Sequence, residues 1–509
     1  MSASSETVIS GKPPSVSSAR SADYVEKLAL AERDAAIALP VLLLFASAII
    51  WLVGWSVLNF ILAIKLVSPG FLGDGSFFTY GRLQPVATNI FTYGWASCAG
   101  MGTALWVMAR LCRVRVGTPF SVLIGTAFWN TGLLIGIIAT QAGAGRALKY
   151  LELPVWSQLI MFLGFALIAI YVIGLFVHRP PGPGFISQFY IVAAFLWLGW
   201  SLLAANIFAS LPWVRGVITA VNGAWFAGNF QGLWFTALGL AAVYYLIPKV
   251  TGKAIHSYYL AHLGFWTLAF LYPWTGLHQY NGGPIPAWLM TLSIVATTLT
   301  IVPVATVAVN HHVTMVGSHF MMHYSPTLRF TVAGAMCYTA SAVTGILLAQ
   351  RSVSHIAGMS FAGVAQDYFV LYTFFSFVMF GAIYFIMPRL VRREWVSAQL
   401  IKFHFWGAAY GIGLTILFLT VAGLFQGSGW NSAVIRPVMV AQMAEAPLRG
   451  TILAAFLLLA GHAVFAVHFI LMVLRMGQVS SEPTYLASPT ASYGYYEEEE
   501  QETHGKGAA

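Results

Sequence analysis

Long apolar segments separated by short polar loops are the feature that most constrains the fold of this chain. A helix needs about 20 mostly apolar residues to cross a bilayer, and most of these segments reach that length. Because lipid offers the backbone no hydrogen-bond partners, spanning segments of this kind form helices. The pattern predicts an all-α integral membrane protein with twelve transmembrane helices, at about 36–64, 87–111, 118–142, 156–178, 187–210, 223–247, 258–275, 288–309, 328–349, 366–388, 400–425 and 451–474.

Composition supports a membrane protein and argues against a soluble one. Charged residues make up 8% of the 509 residues, whereas soluble domains carry about 25%. The formal net charge of +9 is therefore better explained by loops that set membrane topology than by nucleic-acid binding. The three cysteines, Cys98, Cys112 and Cys337, show no Cys-x-x-Cys spacing, so neither a disulfide framework nor a heme c attachment site is indicated.

Lysine and arginine are distributed unevenly between the two sides of the predicted bundle. With the N-terminus inside, 17 of the 25 basic residues fall on the inner side. The positive-inside rule then places both termini in the cytoplasm, and we expect the inner membrane of a bacterium. We further expect a disordered cytoplasmic tail at 1–33, the helical bundle at 34–476 and a disordered acidic cytoplasmic tail at 477–509.

Three short motifs connect this chain to a known family. Residues 225–229 read WFAGN, residues 272–279 read YPWTGLHQ, and residues 80–89 read YGRLQPVATN. These motifs resemble those of subunit I of the heme–copper oxidases, most closely the cbb3-type cytochrome c oxidases. The resemblance covers about residues 70–480 and implies one twelve-helix bundle with both ends in the cytoplasm.

The resemblance also implies six histidine ligands for two hemes and one copper. Only His278 stands at one of these positions, as a copper ligand. Tyr272 matches the family tyrosine that is cross-linked to a copper ligand and takes part in catalysis. Of the replacements, Tyr372 could still serve as an axial heme ligand, since tyrosine does so in catalase. The five replaced positions hold Ala87, Gly228, Gln279, Tyr372 and Phe374.

These replacements lead to a preferred function and two alternatives. We expect a subunit I-like protein of a respiratory chain that is a non-catalytic or altered paralogue, a pseudoenzyme without a bound cofactor. One alternative is an active terminal oxidase with heme b and copper, which would oxidise cytochrome c, reduce oxygen to water and translocate protons. The other is a transporter or channel on the same fold. The expected partners are other subunits of a respiratory oxidase complex and the lipid bilayer, with no nucleic acid.

A bundle that lacks its hemes must fill their space in another way. Because protein interiors are close-packed, we expect Tyr372, Phe374 and Phe375 to occupy that space. The family pattern places Ala87 opposite Phe374, on the two faces of the low-spin heme.

Overall fold

The structure, a computed structural model, describes residues 16–73, 75–114, 117 and 119–479, with side chains from residue 29 onward. Within these residues the regular structure is helical, apart from one isolated β-bridge between Arg393 and Val479. The α-helices are α1 (Val16–Val67), α2 (Tyr80–Asn89), α3 (Ser97–Cys112), α4 (Phe120–Ala139), α5 (Val155–Val177), α6 (Ile186–Ser210), α7 (Val217–Asn229), α8 (Ala237–Thr251), α9 (Tyr258–Leu271), α10 (Ala287–Leu299), α11 (Ile301–Met315), α12 (Pro326–Ala349), α13 (Arg351–Ala357), α14 (Phe361–Tyr368), α15 (Phe377–Val391), α16 (Ala398–Trp430) and α17 (Pro437–Val473).

Ten helical stretches of the described chain are long and apolar enough to span a bilayer, so this is a multi-pass membrane protein. The predicted segments 87–111 and 258–275 fall outside these ten. The second of them forms α9, which has only 14 residues and ends at Leu271. Pro273 follows in a single 3-10 turn, Tyr272–Trp274, and so the α-helix does not continue to His278.

The N-terminal boundary differs from the prediction. The backbone of residues 16–33 is helical and continues directly into the first spanning stretch, so this part of the expected disordered tail belongs to α1. Residues 26–33 read EKLALAER, and these are strong helix formers, which explains why the helix extends upstream. The remainder of the two predicted tails, residues 1–15 and 480–509, lies outside the described residues.

Burial separates inner from outer helices. In the most apolar part of each stretch, 94% of the residues are buried for α7–α8 and 89% for α14–α15, against 39% for α5. A helix that is apolar on all sides is buried in the interior of a bundle. The two inner stretches therefore form the centre of the protein, and they carry Gly228, Tyr372, Phe374 and Phe375.

Three helical stretches of the described chain change from α- to π-helical geometry before returning to α. The π-helical segments are Ile90–Ala96, Phe230–Thr236 and Phe369–Ser376, and the last of them contacts both of the others. A π-helical turn holds an extra residue and shifts the direction of the side chains that follow; such turns occur frequently at functional sites. The centre of the bundle thus contains three π-helical turns, one from each of these stretches.

Candidate functional site

Tyr372 belongs to a row of hydrogen-bonded side chains inside the bundle. Its hydroxyl lies 2.5 Å from Nε2 of His462, and Nδ1 of His462 lies 2.6 Å from Oγ of Ser56. Ser56 donates its own proton to the carbonyl of Leu52. The consistent assignment has Nδ1–H of His462 donating to Ser56, while Nε2 accepts from Tyr372. This Tyr372–His462–Ser56 row joins the third π-helical segment to α17 and α1.

Aromatic rings enclose the row. The ring of Tyr372 stacks on Phe91 at a centroid distance of 6.1 Å and lies 5.9 Å from Trp55. Phe374 packs on Tyr338 in α12 at 4.9 Å. Tyr372, Phe374 and Phe375 are all fully buried. The three rings thus pack into the core, but Ala87 borders an open cavity of about 720 Å³, so they do not fill all of the space expected for the hemes.

The predicted pairing of Ala87 with Phe374 differs from the structure. Phe91, one helical turn after Ala87, stacks on Tyr372, whereas Phe374 points away towards α8 and α12. A Cβ atom on Gly239 of α8 would lie 2.6 Å from Cζ of Phe374, which shows how closely that ring fits. The π-helical turn that holds both residues changes the direction of successive side chains, which counting along a regular helix does not reproduce.

A cavity of about 720 Å³ lies beside the aromatic cluster, near the end of α1 and the start of α14. Tyr372 and Phe374 are not part of its wall. The cavity thus brings together residues from the first, second and third family motifs, although these are far apart in the chain. The positions named from the sequence that border it are Ala87, Gly228, Tyr272, His278 and Gln279.

His278 lies in a 3-10 turn, Leu277–Tyr280, at the wall of this cavity. Its backbone N–H donates to Oγ of Ser293 at 3.1 Å, and its Nδ1 lies 3.4 Å from Oγ1 of Thr297. Burial lowers the pKa of His278 to about 4, and the nearby Lys149 adds to this effect. The imidazole is therefore neutral at pH 7. Its Nε2 has no hydrogen-bond partner among the described residues.

An ion pair borders the cavity on the side of the loop between α4 and α5. Nζ of Lys149 lies 2.6 Å from a carboxylate oxygen of Asp367. Nε2 of Gln231, in the second π-helical segment, donates to the other oxygen of Asp367 at 2.8 Å and to the hydroxyl of Tyr150 at 2.7 Å. These contacts fix the loop to the second π-helical segment and to α14.

Glu152, in the same loop, is a buried carboxyl group in the cavity wall. Nδ2 of Asn89 donates to it at 3.1 Å. Burial raises the pKa of Glu152 to about 7, although hydrogen bonds from the backbone and from Asn89 oppose this shift. The expectations drawn from the sequence do not include this loop. A signal was present, because Arg146, Lys149 and Glu152 concentrate three charges in a few residues of a chain that is 8% charged.

The residues present do not fit the hemes or the copper of the family. Ala87 presents a methyl group, Phe374 presents a hydrocarbon ring, and the hydroxyl of Tyr372 is already bound to His462. His278 is a single copper-type ligand, whereas copper sites combine several. Within the described part of the chain, no group of three or more His, Cys, Asp or Glu side chains is placed to hold a metal ion.

Comparison with known proteins agrees with the geometry of the bundle. The sequence model of the family described as "Cytochrome C and Quinol oxidase polypeptide I" matches residues 40–457. The chain belongs to this family. Its ten supported spans and its buried inner helices are thus those of an all-helical heme–copper oxidase subunit I fold.

Individual relatives share little sequence identity with this chain, but the alignments cover most of both chains. A cytochrome c oxidase subunit 1 homolog of Azorhizobium caulinodans is 26% identical over 401 residues, which cover 76% of this chain and 72% of the homolog. The cbb3-type cytochrome c oxidase subunit CcoN1 of Stutzerimonas stutzeri is 25% identical over 391 residues, 75% of this chain and 82% of that protein. The cryo-EM structure of a heme–copper terminal oxidase dimer aligns with a TM-score of 0.65 and 14% identity, over 87% and 86% of the two chains.

Proposed function

We propose that this protein is a non-catalytic or catalytically altered subunit I paralogue that works within or beside a respiratory oxidase complex and binds neither low-spin heme b nor copper. The observation that carries the proposal is the Tyr372–His462–Ser56 row. A position where the family has a heme-binding histidine holds a tyrosine whose hydroxyl is bonded to another side chain of the same protein. Iron at this hydroxyl would have to break that bond.

The backbone around Gly228, at one of the family's copper-ligand positions, also argues against a bound copper. A Cβ atom on Gly228 would lie 2.8 Å from the carbonyl oxygen of Thr275 and 3.2 Å from Cα of Gly276. A histidine side chain would need the two backbone segments to move apart. Protein interiors resist such shifts. The position that lacks the histidine ligand is therefore also one where the backbone leaves no room for a histidine side chain. His278 is then a lone imidazole in the cavity wall.

The membrane arrangement is part of the proposal. We assign twelve spans by adding the continuous helical run from Tyr80 to Cys112 and the short helix α9 to the ten supported stretches. The bias in lysine and arginine supports both termini on the cytoplasmic side, and the relatives named above support the inner membrane of a bacterium. The relatives named above support partner subunits of a respiratory oxidase as the assembly context.

The deciding experiment measures cofactors and activity on one preparation. The full-length protein is purified away from other oxidase subunits, and its heme is extracted, its copper quantified and its reduced-minus-oxidised spectrum recorded. The Stutzerimonas stutzeri relative, prepared in the same way, serves as the control for cofactor loss during purification. We expect substoichiometric heme and copper, and no oxygen uptake with reduced cytochrome c. Stoichiometric heme with a low-spin spectrum, or one copper per chain, would overturn the proposal and favour the terminal oxidase.

A further inference from the structure

Arg146 is a partly buried cation in the loop between α4 and α5. Its backbone N–H donates to the carbonyl of Glu152 at 2.8 Å, and its Nε donates to the carbonyl of Leu153 at 3.0 Å. None of the described carboxylates forms an ion pair with Arg146, although Glu152 belongs to the same loop. Burial lowers the pKa of Arg146, as expected for a guanidinium that has lost water. The loop thus holds a desolvated positive charge whose described contacts include no direct counter-ion.

Two buried amides hold one end of this guanidinium. Nη2 of Arg146 donates to Oε1 of Gln158 in α5 at 3.0 Å and to Oδ1 of Asn206 in α6 at 2.9 Å. Because a guanidinium can only donate, the first bond fixes which end of the Gln158 amide faces Arg146. Nε2 of Gln158 then has no hydrogen-bond partner among the described residues, although this side chain is only 1% exposed. Asn206, by contrast, uses its Nδ2 to donate to the carbonyl of Leu202 at 2.9 Å.

Three buried donors of this region lack an acceptor in the described part of the chain. Nη1 of Arg146 and Nε2 of Gln158 flank the same hydrogen bond, so they lie close together. The third donor is Oγ1 of Thr140, which directly follows α4. Thr140 packs against the loop, since a Cβ atom on Gly145 would lie 2.8 Å from its Cγ2. Because buried polar groups are rarely left unpaired, the three donors favour a bound acceptor.

An anion satisfies these donors better than water does. A water molecule accepts hydrogen bonds but leaves the charge of Arg146 unpaired, and an unpaired buried charge is costly. Glu152 compensates this charge only in part, because its pKa of about 7 leaves it protonated about half of the time at pH 7. The orphan acceptors of this region, Oδ1 of Asn89 and Oε1 of Gln141, need a donor and so take no part in holding an anion.

We propose that the loop between α4 and α5 binds one chloride ion, with Nη1 of Arg146, Nε2 of Gln158 and Oγ1 of Thr140 as its donors. A halide suits this place because it carries one charge and accepts from several donors without a fixed direction. Arg146 also lines the cavity described above, and the next residue, Ala147, is exposed, so the site lies close to the protein surface. The bound ion joins the end of α4, the loop and the start of α5.

Chloride binding is measured on the full-length protein in detergent micelles after exchange into sodium gluconate. Binding of chloride-36 is followed by scintillation proximity, and the thermal unfolding midpoint is recorded while chloride replaces gluconate at constant ionic strength. We expect saturable binding of one ion per chain. The midpoint should rise with the same concentration dependence, by about 2 °C at ten times the dissociation constant. Bromide should compete with chloride, whereas sulfate, which is larger and divalent, should not.

Two variants alter the donors in different ways. Thr140→Val keeps the shape of the side chain and removes one donor, so it should weaken chloride binding about fivefold, which corresponds to one net hydrogen bond of about 1 kcal/mol. Gln158→Glu supplies a carboxylate that can pair with Arg146, so it should abolish chloride binding and make the midpoint independent of chloride. Thr331→Val is the matched control, because its hydroxyl in α12 is also buried without a described partner, and it should bind chloride as the wild type does.

The possible outcomes decide the proposal even if one variant fails to fold. Absence of saturable chloride-36 binding by the wild type overturns the site, as does a midpoint that does not respond to chloride, which would indicate water in its place. Equal binding by Thr140→Val and Thr331→Val also overturns it, and this comparison does not need Gln158→Glu. Heme content of the same preparation tests the proposed function separately, because none of the three donors stands at a heme or copper position.

Discussion

Replacing Tyr372 with phenylalanine isolates the contribution of one hydroxyl group. The ring keeps its place against Trp55 and Phe91, so packing is retained. The change removes only the hydrogen bond to Nε2 of His462, which is then a buried acceptor without its partner. Ser56 keeps its bond to the other nitrogen of that ring.

The expected loss of stability follows from the burial of the acceptor atom, Nε2 of His462. An unsatisfied buried polar group costs about 1–3 kcal/mol, while side-chain hydrogen bonds in membrane proteins average about 0.6 kcal/mol and reach about 1.7. We therefore expect Tyr372→Phe to lower the free energy of unfolding by about 1–2 kcal/mol. Equilibrium unfolding by SDS titration in mixed micelles measures this difference.

The bundle offers a matched control for this experiment. The hydroxyl of Tyr338 is also buried, but it has no hydrogen-bond partner among the described residues. Tyr338→Phe removes the same atom without breaking a bond, and it should leave the free energy of unfolding unchanged or raise it. If Tyr372→Phe lowers the free energy of unfolding no more than Tyr338→Phe does, then the row does not stabilise the fold. The row would then no longer argue against heme binding.

Three further predictions concern the loop, the packing and the topology. Burial raises the pKa of Glu152 from 4.5 to about 7, so the folded state holds this proton more tightly than the unfolded chain, and stability falls as pH rises through that window. Glu152→Gln should therefore lose this pH dependence and unfold at a higher temperature than the wild type near pH 8; an unchanged pH profile would contradict the assigned shift. Gly232→Ala should destabilise the protein, because its Cβ would overlap the ring of Tyr272, whereas Gly413→Ala, with nothing within 4 Å, should be neutral or mildly stabilising in the same unfolding assay. A reporter fused after Ala509 should be active only if it functions in the cytoplasm, and activity of a periplasm-specific reporter would refute the topology.

The apolar pattern was sufficient for the class of fold, since ten of the predicted segments are spans and the family match covers the bundle. The lengths of the helices were harder to predict from the sequence. Strong helix formers extend α1 upstream, and a proline ends α9 early. A hydropathy pattern shows where residues are apolar, but it does not show where a helix made of polar residues begins.

The candidate site could be predicted from the sequence only in part, and for a different reason. Gly228, Tyr272 and His278, which come from two separate family motifs, border one cavity. The contact between Tyr372 and His462 joins residues 90 positions apart, and nothing in their local sequence indicates it. The direction of Tyr372 and Phe374 also depends on a π-helical turn, which inserts one residue into a helix without altering its apolar character.

The Tyr372–His462–Ser56 row has a consequence for how such a protein is made. A bundle that closes around a prosthetic group reaches its final packing only when that group is delivered, so its yield depends on the supply. Here the corresponding contacts are made by side chains that arrive with the polypeptide itself, from α1, α17 and the helix between them. On the proposed heme-free function, biosynthesis of this protein should therefore continue undiminished in cells starved of iron.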